Sequence, residues 1–180
     1  MRIRDWYFQG WERRETAGKS VLVYTGETYS FPGGLRPHQR RTAFLTAALV
    51  LVYLGAALLP SPGGMWHYAA VPQLLELIPL IYLVMGLVRL LLAKVPFTYR
   101  DWYASWRRMK HAAAWSLGAA ALMAAVEIVY LLFAAEDPSL PRELLYLLEA
   151  LVCAALSFAL FCYIRKHPCM LFRQARPNRD

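Results

Sequence analysis

The sequence predicts an all-α polytopic membrane protein with four transmembrane helices, both termini cytoplasmic, and a short N-terminal cytoplasmic β-hairpin. Three observations predict this fold. The chain has 180 residues and is 58% hydrophobic. Its apolar residues gather into four runs long enough to cross a hydrocarbon core of about 30 Å. Its basic residues alternate with those runs along the chain. Together these features predict one helical bundle rather than soluble domains.

The four apolar runs predict the domain organisation. The segment before them, residues 1–41, is basic and aromatic, and a basic tail, 165–180, follows them. The bundle occupies residues 42–164, and its spans cover about 42–59, 68–93, 112–135 and 144–164.

Two shorter elements are predicted outside the spans. Two β-favouring runs flank Thr25-Gly26, which predicts a hairpin over residues 20–31. Thr98 followed three residues later by Asp101 has the pattern of a capping box, so an interfacial helix is predicted over 98–111. Tryptophans near the span ends are typical of membrane-interface anchors; those predicted to act in this way are Trp6, Trp11, Trp66, Trp102 and Trp106.

The distribution of lysine and arginine predicts the orientation. Eight of the 20 precede the first span, none lies in the first loop, six lie from Arg89 to Lys110, one is Arg142 and five follow the fourth span. By the positive-inside rule, both termini and the middle loop are cytoplasmic and the protein is integral to the cell membrane. This asymmetry accounts for the net charge of +8 without a nucleic-acid partner.

Sequence motifs for chemistry are absent. The chain has no glycine-rich phosphate loop and no serine-centred nucleophile motif. Its three cysteines, Cys153, Cys162 and Cys169, are an odd number without redox spacing, so free thiols are expected. We therefore predict no enzyme activity, no catalytic residue, no metal site and no cofactor.

Three predicted spans each carry one glutamate: Glu76, Glu127 and Glu149. Counting residues from the span ends places all three roughly 10 to 12 Å below the outer surface, in one layer. An acidic side chain at that depth costs about 2.5 to 3.5 kcal/mol on insertion scales, so its charge needs compensation by a proton or a bound cation.

Tyrosines accompany these glutamates. Tyr53, Tyr130 and Tyr146 fall near the same layer on similar helix faces, so with the glutamates they are the candidate ligand- or ion-binding residues. Pro72 and Pro79 are expected to open the second span beside them and to free backbone carbonyls.

These features leave alternative functions open. The first is a small cation- or proton-linked transporter or channel-like protein, expected to be a homo-oligomer because four spans enclose little space. The alternative is a non-transporting accessory or scaffold subunit that docks a larger membrane partner through its cytoplasmic aromatic and basic surface. Under the alternative, the glutamates are protonated and hydrogen-bonded groups that support packing. A catalytic use of the carboxylates is the third interpretation.

Overall fold

The computed structural model describes residues 11–16, 19–24, 28–58, 67–94, 97–133 and 140–172. Within these residues the chain forms four long helices and five short strands. The strands are β1 (Trp11–Thr16), β2 (Lys19–Tyr24), β3 (Thr28–Ser30), β4 (Phe97–Thr98) and β5 (Met170–Phe172). The helices are α1 (Leu35–Leu58), α2 (His67–Leu92), α3 (Tyr99–Phe133) and α4 (Leu140–Lys166).

Three of these helices are long and apolar enough to cross a membrane: α2 from Ala70, α3 and α4. Their outward faces carry exposed leucine, isoleucine, valine and phenylalanine side chains, whereas an inward stripe at helical spacing is buried. The chain is thus a helical membrane protein with three spanning helices by length and composition.

The helices pack as a ring. Helix α3 lies between α2 and α4, and α1 closes the ring by contacting α4 and α2. Small residues permit the close contacts on α3, where Ala113, Ser116 and Ala120 are fully buried. Gly86 of α2 faces the buried Met109 side chain of α3 at the same interface.

Helix α3 begins as the capping pattern predicts. The Thr98 hydroxyl accepts a hydrogen bond from the Asp101 backbone N–H and donates one to the Asp101 carboxylate. The helix then passes through a π-helical turn, Tyr103–Arg107, and continues without a break to Phe133. The helix predicted over residues 98–111 thus continues directly into the third span, because hydrogen bonding continues through the π turn.

The strand pairing differs from the prediction. Strand β2 pairs with β1, Trp11 opposite Tyr24 and Thr16 opposite Lys19. Strand β3 pairs with β4 on one side and with β5 on the other. The predicted N-terminal hairpin is present, but β1 and β2 form it, so its predicted bounds of residues 20–31 are wrong. The reason is that β3 finds its partners in distant segments, which a local turn signal cannot indicate.

The three-stranded sheet joins distant parts of the chain at one end of the bundle. Strand β3 precedes α1, β4 lies between α2 and α3, and β5 follows α4. The N-terminal segment, the connection between α2 and α3, and the beginning of the C-terminal tail therefore share one end. We call this the sheet end.

Aromatic side chains fill the core at the sheet end. Trp106 is only 4% exposed, and its indole packs edge-on against Phe31 and His38. Its predicted role as a membrane-interface anchor is wrong, because the ring contacts protein on nearly all sides. Trp102 is half-buried and stacks on Tyr29, with the ring centroids 5.0 Å apart. Of the other predicted anchors, Trp6, Trp66 and the side chain of Trp11 lie outside the described residues.

His38 is the polar centre of this aromatic core. It is 4% exposed, its Nδ1 lies 2.8 Å from the Tyr163 hydroxyl, and its Nε2 lies 3.2 Å from the Pro32 carbonyl oxygen. The imidazole thus connects α1, α4 and the turn before α1. Both ring nitrogens have partners, as a buried polar group requires.

We expect His38→Ala to lower the free energy of unfolding by about 3 kcal/mol, because it removes two hydrogen bonds and leaves a cavity among aromatic rings. Tyr163→Phe should cost only about 1 to 2 kcal/mol, since it removes one hydroxyl and keeps the ring. Unfolding of both variants in detergent micelles measures the difference. Equal stabilities for the two variants would contradict the assigned role of His38.

The described cysteines are free thiols, as expected. Burial raises the pKa of Cys169, which lies beyond the end of α4, to about 12. Because the folded-state pKa is raised, the thiol stays protonated as pH rises through 8, where a free cysteine begins to ionise.

We therefore expect iodoacetamide at pH 8 to alkylate Cys169 in the folded protein more than about a hundredfold more slowly than free cysteine. Mass spectrometry of the peptide that contains Cys169 measures the rate, and the denatured protein is the control. Equal rates in the folded and denatured protein would contradict the burial of this thiol.

Candidate functional site: buried carboxyl groups

Glu76 lies on the inward face of α2 and is fully buried. The Ser116 hydroxyl of α3 donates a hydrogen bond of 3.2 Å to its Oε1. Ser116 is in turn 2.9 Å from the Ser157 hydroxyl of α4. Three helices thus meet through one carboxyl group and two hydroxyl groups, which we call the inner network. The other carboxyl oxygen of Glu76, Oε2, is buried and has no hydrogen-bond partner within the ranges that the structure describes.

Glu127 on α3 and Glu143 at the start of α4 form a second carboxyl site. Both side chains are fully buried, and their carboxyl groups lie close enough to each other to interact. Among the described residues, no donor group reaches either oxygen of Glu127. Two ionised carboxylates repel each other and have no proton to share. Placing them side by side in a buried site therefore requires a proton on one of them or another positive charge. We call Glu127 and Glu143 the outer pair, because Glu127 lies further from the sheet end along α3 than Ser116 does.

Two tyrosines lie between the outer pair and the inner network. Tyr146 of α4 is buried and interacts electrostatically with Glu127, Tyr53 and Glu76. Tyr53 of α1 donates a 2.9 Å hydrogen bond to the Gln73 carbonyl oxygen of α2. The Tyr146 hydroxyl has no hydrogen-bond partner in the described part of the chain. A free buried hydroxyl between two carboxyl sites can both donate and accept a proton.

Glu149 lies against α1. A side chain at Gly55 would bring its Cβ within 3.3 Å of the Glu149 Oε1, so the absence of a side chain there makes room for the carboxyl group. Its Oε2 is buried without a partner. The buried thiol of Cys153 interacts electrostatically with both Glu149 and Glu76, and so connects Glu149 to the inner network.

The acidic groups occupy two levels rather than one. Glu76 meets Ser116, whereas Glu143 meets Glu127, and these two partners on α3 are about 16 Å apart along the helix axis. The predicted single layer is therefore wrong. The prediction estimated the depth of each glutamate by counting residues from the span ends, which assumes that every helix starts at the same height. The axial position of α2 against α3 is instead fixed by the close packing of Gly86 against Met109.

Helix α2 is also more regular than expected. Pro72 and Pro79 lie within a helix that continues from His67 to Leu92. The predicted opening of the second span at these prolines is wrong, because the helix passes through both and is supported by packing against α3.

The structure brings together most of the predicted site residues and adds others. Tyr130 is buried one turn beyond Glu127. Sequence reasoning missed Glu143 and Ser157. The signal that could have found them is the buried stripe of α4, in which Glu143, Tyr146, Cys153 and Ser157 recur at helical spacing.

The site does not resemble a metal centre. Among the described residues, no three histidine, cysteine, aspartate or glutamate side chains converge in a way that could hold a metal ion. A groove of about 920 Å³ lies between α2 and α3, and none of the glutamates lines it.

Together these elements define a helical membrane protein with carboxyl and hydroxyl groups buried at two levels of its interior. No protein-family model, curated protein or solved structure matches the chain.

Proposed function

We propose that this chain is a small proton-linked membrane transport protein, in which the buried carboxyl groups take up and release protons. The observation that carries the proposal is the outer pair, two fully buried carboxyl groups that lie close to each other, with no other donor to Glu127 among the described residues. Ionisable groups inside a membrane are costly, and they commonly mark proton or ion pathways.

The chemistry favours a proton over a metal cation. A hard cation such as calcium takes six to eight oxygen ligands, which requires several groups around one point. The outer pair offers two carboxyl groups close to each other, and a single proton between them neutralises one charge without extra space. The same compensation suits Glu76, whose free oxygen has no other partner.

The buried groups suggest a route for protons. Tyr146 interacts electrostatically with Glu127 of the outer pair and with Glu76, and Cys153 interacts with Glu149 and Glu76, so these groups are the candidates for proton transfer between the two levels. Beyond the inner network, the buried Thr46 and Thr42 follow one another along α1 in the direction of the sheet end. His38 and Tyr163 form a hydrogen-bonded pair there. Carboxyl, hydroxyl and imidazole groups both donate and accept protons, so each of these groups is chemically able to take part in proton transfer.

We also propose that α1 is a fourth span. It has 24 residues, about 36 Å of helix, and carries exposed Phe44, Leu51 and Leu58. The three-stranded sheet supports this assignment. Strand β3 comes before α1, β4 comes after α2, and the two strands pair. The chain therefore starts and ends this pair of helices on the same side of the membrane, so α1 must cross it if α2 does. The charge asymmetry then puts the sheet end and both termini in the cytoplasm of a cell, as the positive-inside rule requires.

The second candidate function is a non-transporting accessory subunit that binds a larger membrane protein. One observation favours it: the inner network joins α2, α3 and α4 by hydrogen bonds, which stabilises packing whether or not protons move. Assembly as a homo-oligomer is compatible with either function.

Purified protein reconstituted into vesicles that contain a pH-sensitive dye tests the proposal. With a potassium gradient and valinomycin supplying the driving force, we expect proton flux above that of protein-free vesicles. The variant Glu127→Gln/Glu143→Gln should lose this flux, because amides replace both acids of the outer pair. Flux equal to that of empty vesicles, together with stable co-purification of one membrane partner, would support the accessory function instead.

A further inference from the structure

A groove runs along the lipid-facing side of the contact between α2 and α3, and the proposed proton route does not use it. It encloses about 920 Å³. Its lining on α3 extends from Tyr103, near the sheet end, to Leu122 in the apolar part of the helix. Leu75, Ile78 and Tyr82 of α2 form the facing wall.

The sheet end of the groove is positively charged. Arg107, Arg108 and His111 line it, and none of the other described lining residues is an aspartate or glutamate. The Arg108 guanidinium lies 5.7 Å from the centre of the Tyr82 ring across the groove, and that of Arg107 lies 4.9 Å from the Tyr103 ring. Stacking on aromatic rings holds arginine in place while its N–H donors stay available to an anion.

The remainder of the groove is apolar. Gly118 and Ala119 form its floor, and Trp115, which is 76% exposed, stands at its edge. A Cβ placed on Gly118 would meet no atom within 4 Å, so the groove is open at that point.

We propose that this groove binds one anionic phospholipid, with its phosphate held by Arg107, Arg108 and His111 and an acyl chain lying over Gly118. The inference does not depend on proton transport. Two observations select this occupant: an excess of positive charge at one end, and a continuous apolar surface leading away from that charge.

The dimensions of the groove agree with a lipid. From Arg107 to Leu122 the helix rises about 22 Å, which is close to the thickness of one leaflet including its headgroups. A helix from a second copy of this chain fits less well, because the exposed arginines would face another apolar span without a compensating anion.

Binding of phosphatidylglycerol to the detergent-purified protein, measured by native mass spectrometry against phosphatidylcholine with the same acyl chains, tests the headgroup contacts. We expect preferential binding of phosphatidylglycerol. Arg107→Gln/Arg108→Gln should weaken phosphatidylglycerol binding by about thirtyfold, since the variant loses the favourable charge interactions of two arginines with the anionic headgroup. Lys110→Gln is the matched control, because Lys110 is an exposed cation on the same helix outside the groove and should leave binding unchanged.

Gly118→Leu tests the apolar part without disturbing the fold. Its side chain extends into open space, and leucine favours a helix over glycine, so the protein should fold while the groove is filled. Lipid binding should fall, whereas Ala125→Leu, on an exposed position of α3 outside the groove, should leave it intact.

The proposal would be overturned by equal binding of the two lipids, by unchanged phosphatidylglycerol binding after loss of both arginines, or by unchanged binding in Gly118→Leu. Conversion of a lipid-free dimer to monomers by Gly118→Leu would also overturn it, because a second copy of the chain would then be the occupant. Loss of binding in both groove variants, with both controls intact, supports it. Because all these variants keep the glutamates, failure of this proposal leaves the vesicle flux experiment unaffected.

Discussion

Replacing Glu76 with glutamine is expected to reduce proton flux to the level of protein-free vesicles while the protein remains folded. The glutamine carbonyl can still accept the hydrogen bond from Ser116, so the link to Ser157 survives. An amide resembles a protonated carboxyl group in size and charge, and we expect the free energy of unfolding to change by only about 1 kcal/mol. An amide cannot release a proton at physiological pH, so transfer through this position stops.

Dye-loaded vesicles measure the flux, and unfolding in detergent measures the stability of the same preparation. Asp101→Asn is a matched acid-to-amide control. Asp101 caps the start of α3, and its oxygen accepts a hydrogen bond from Thr98 that asparagine can also accept. This control should keep full flux. If Glu76→Gln moved protons at the rate of the unmodified protein, Glu76 would be a packing group and the accessory function would gain support.

Gly86→Ala is expected to destabilise the protein by about 1 to 3 kcal/mol, although alanine is the better helix former. The new Cβ would lie 2.5 Å from Cγ of Met109 and 3.4 Å from the Ser105 carbonyl oxygen. Met109 is fully buried, so its side chain has little room to move away. The added methyl group therefore pushes α2 and α3 apart at the place that fixes their register.

Gly118→Ala is the matched control for this prediction. Its Cβ would meet no atom within 4 Å, and we expect a gain of up to about 1 kcal/mol from helix propensity alone. Thermal or detergent-induced unfolding of the two variants measures the difference. Combining Met109→Ala with Gly86→Ala should cost less stability than the sum of the two single changes, since the two side chains share one space. Equal stabilities for Gly86→Ala and Gly118→Ala would contradict the close contact.

Much of the bundle follows from short-range patterns. Apolar runs predicted the positions of α2, α3 and α4, because a membrane span must be long, continuous and apolar. The capping pattern of Thr98 and Asp101 predicted the start of α3, because it satisfies backbone groups within a single turn. Glu76 and Glu127 were placed on inward faces by their helical spacing, and both are fully buried.

Contacts between distant segments were not predictable in the same way. Strand β3 pairs with residues far along the chain, so its partners could not be found from the nearest turn. The proximity of Glu127 and Glu143 depends on the register of α4 against α3, and the residue pattern within either helix does not predict that register.

The sequence alone therefore determined that this protein is a helical membrane bundle with acidic groups in its interior, because hydrophobic length and helical period act within each segment. Only the tertiary structure decided that Glu76 joins Ser116 and Ser157 while Glu127 meets Glu143 about 16 Å further along α3. The physical reason is that the axial position of one helix against the next is set by steric fit, as at Gly86 and Met109.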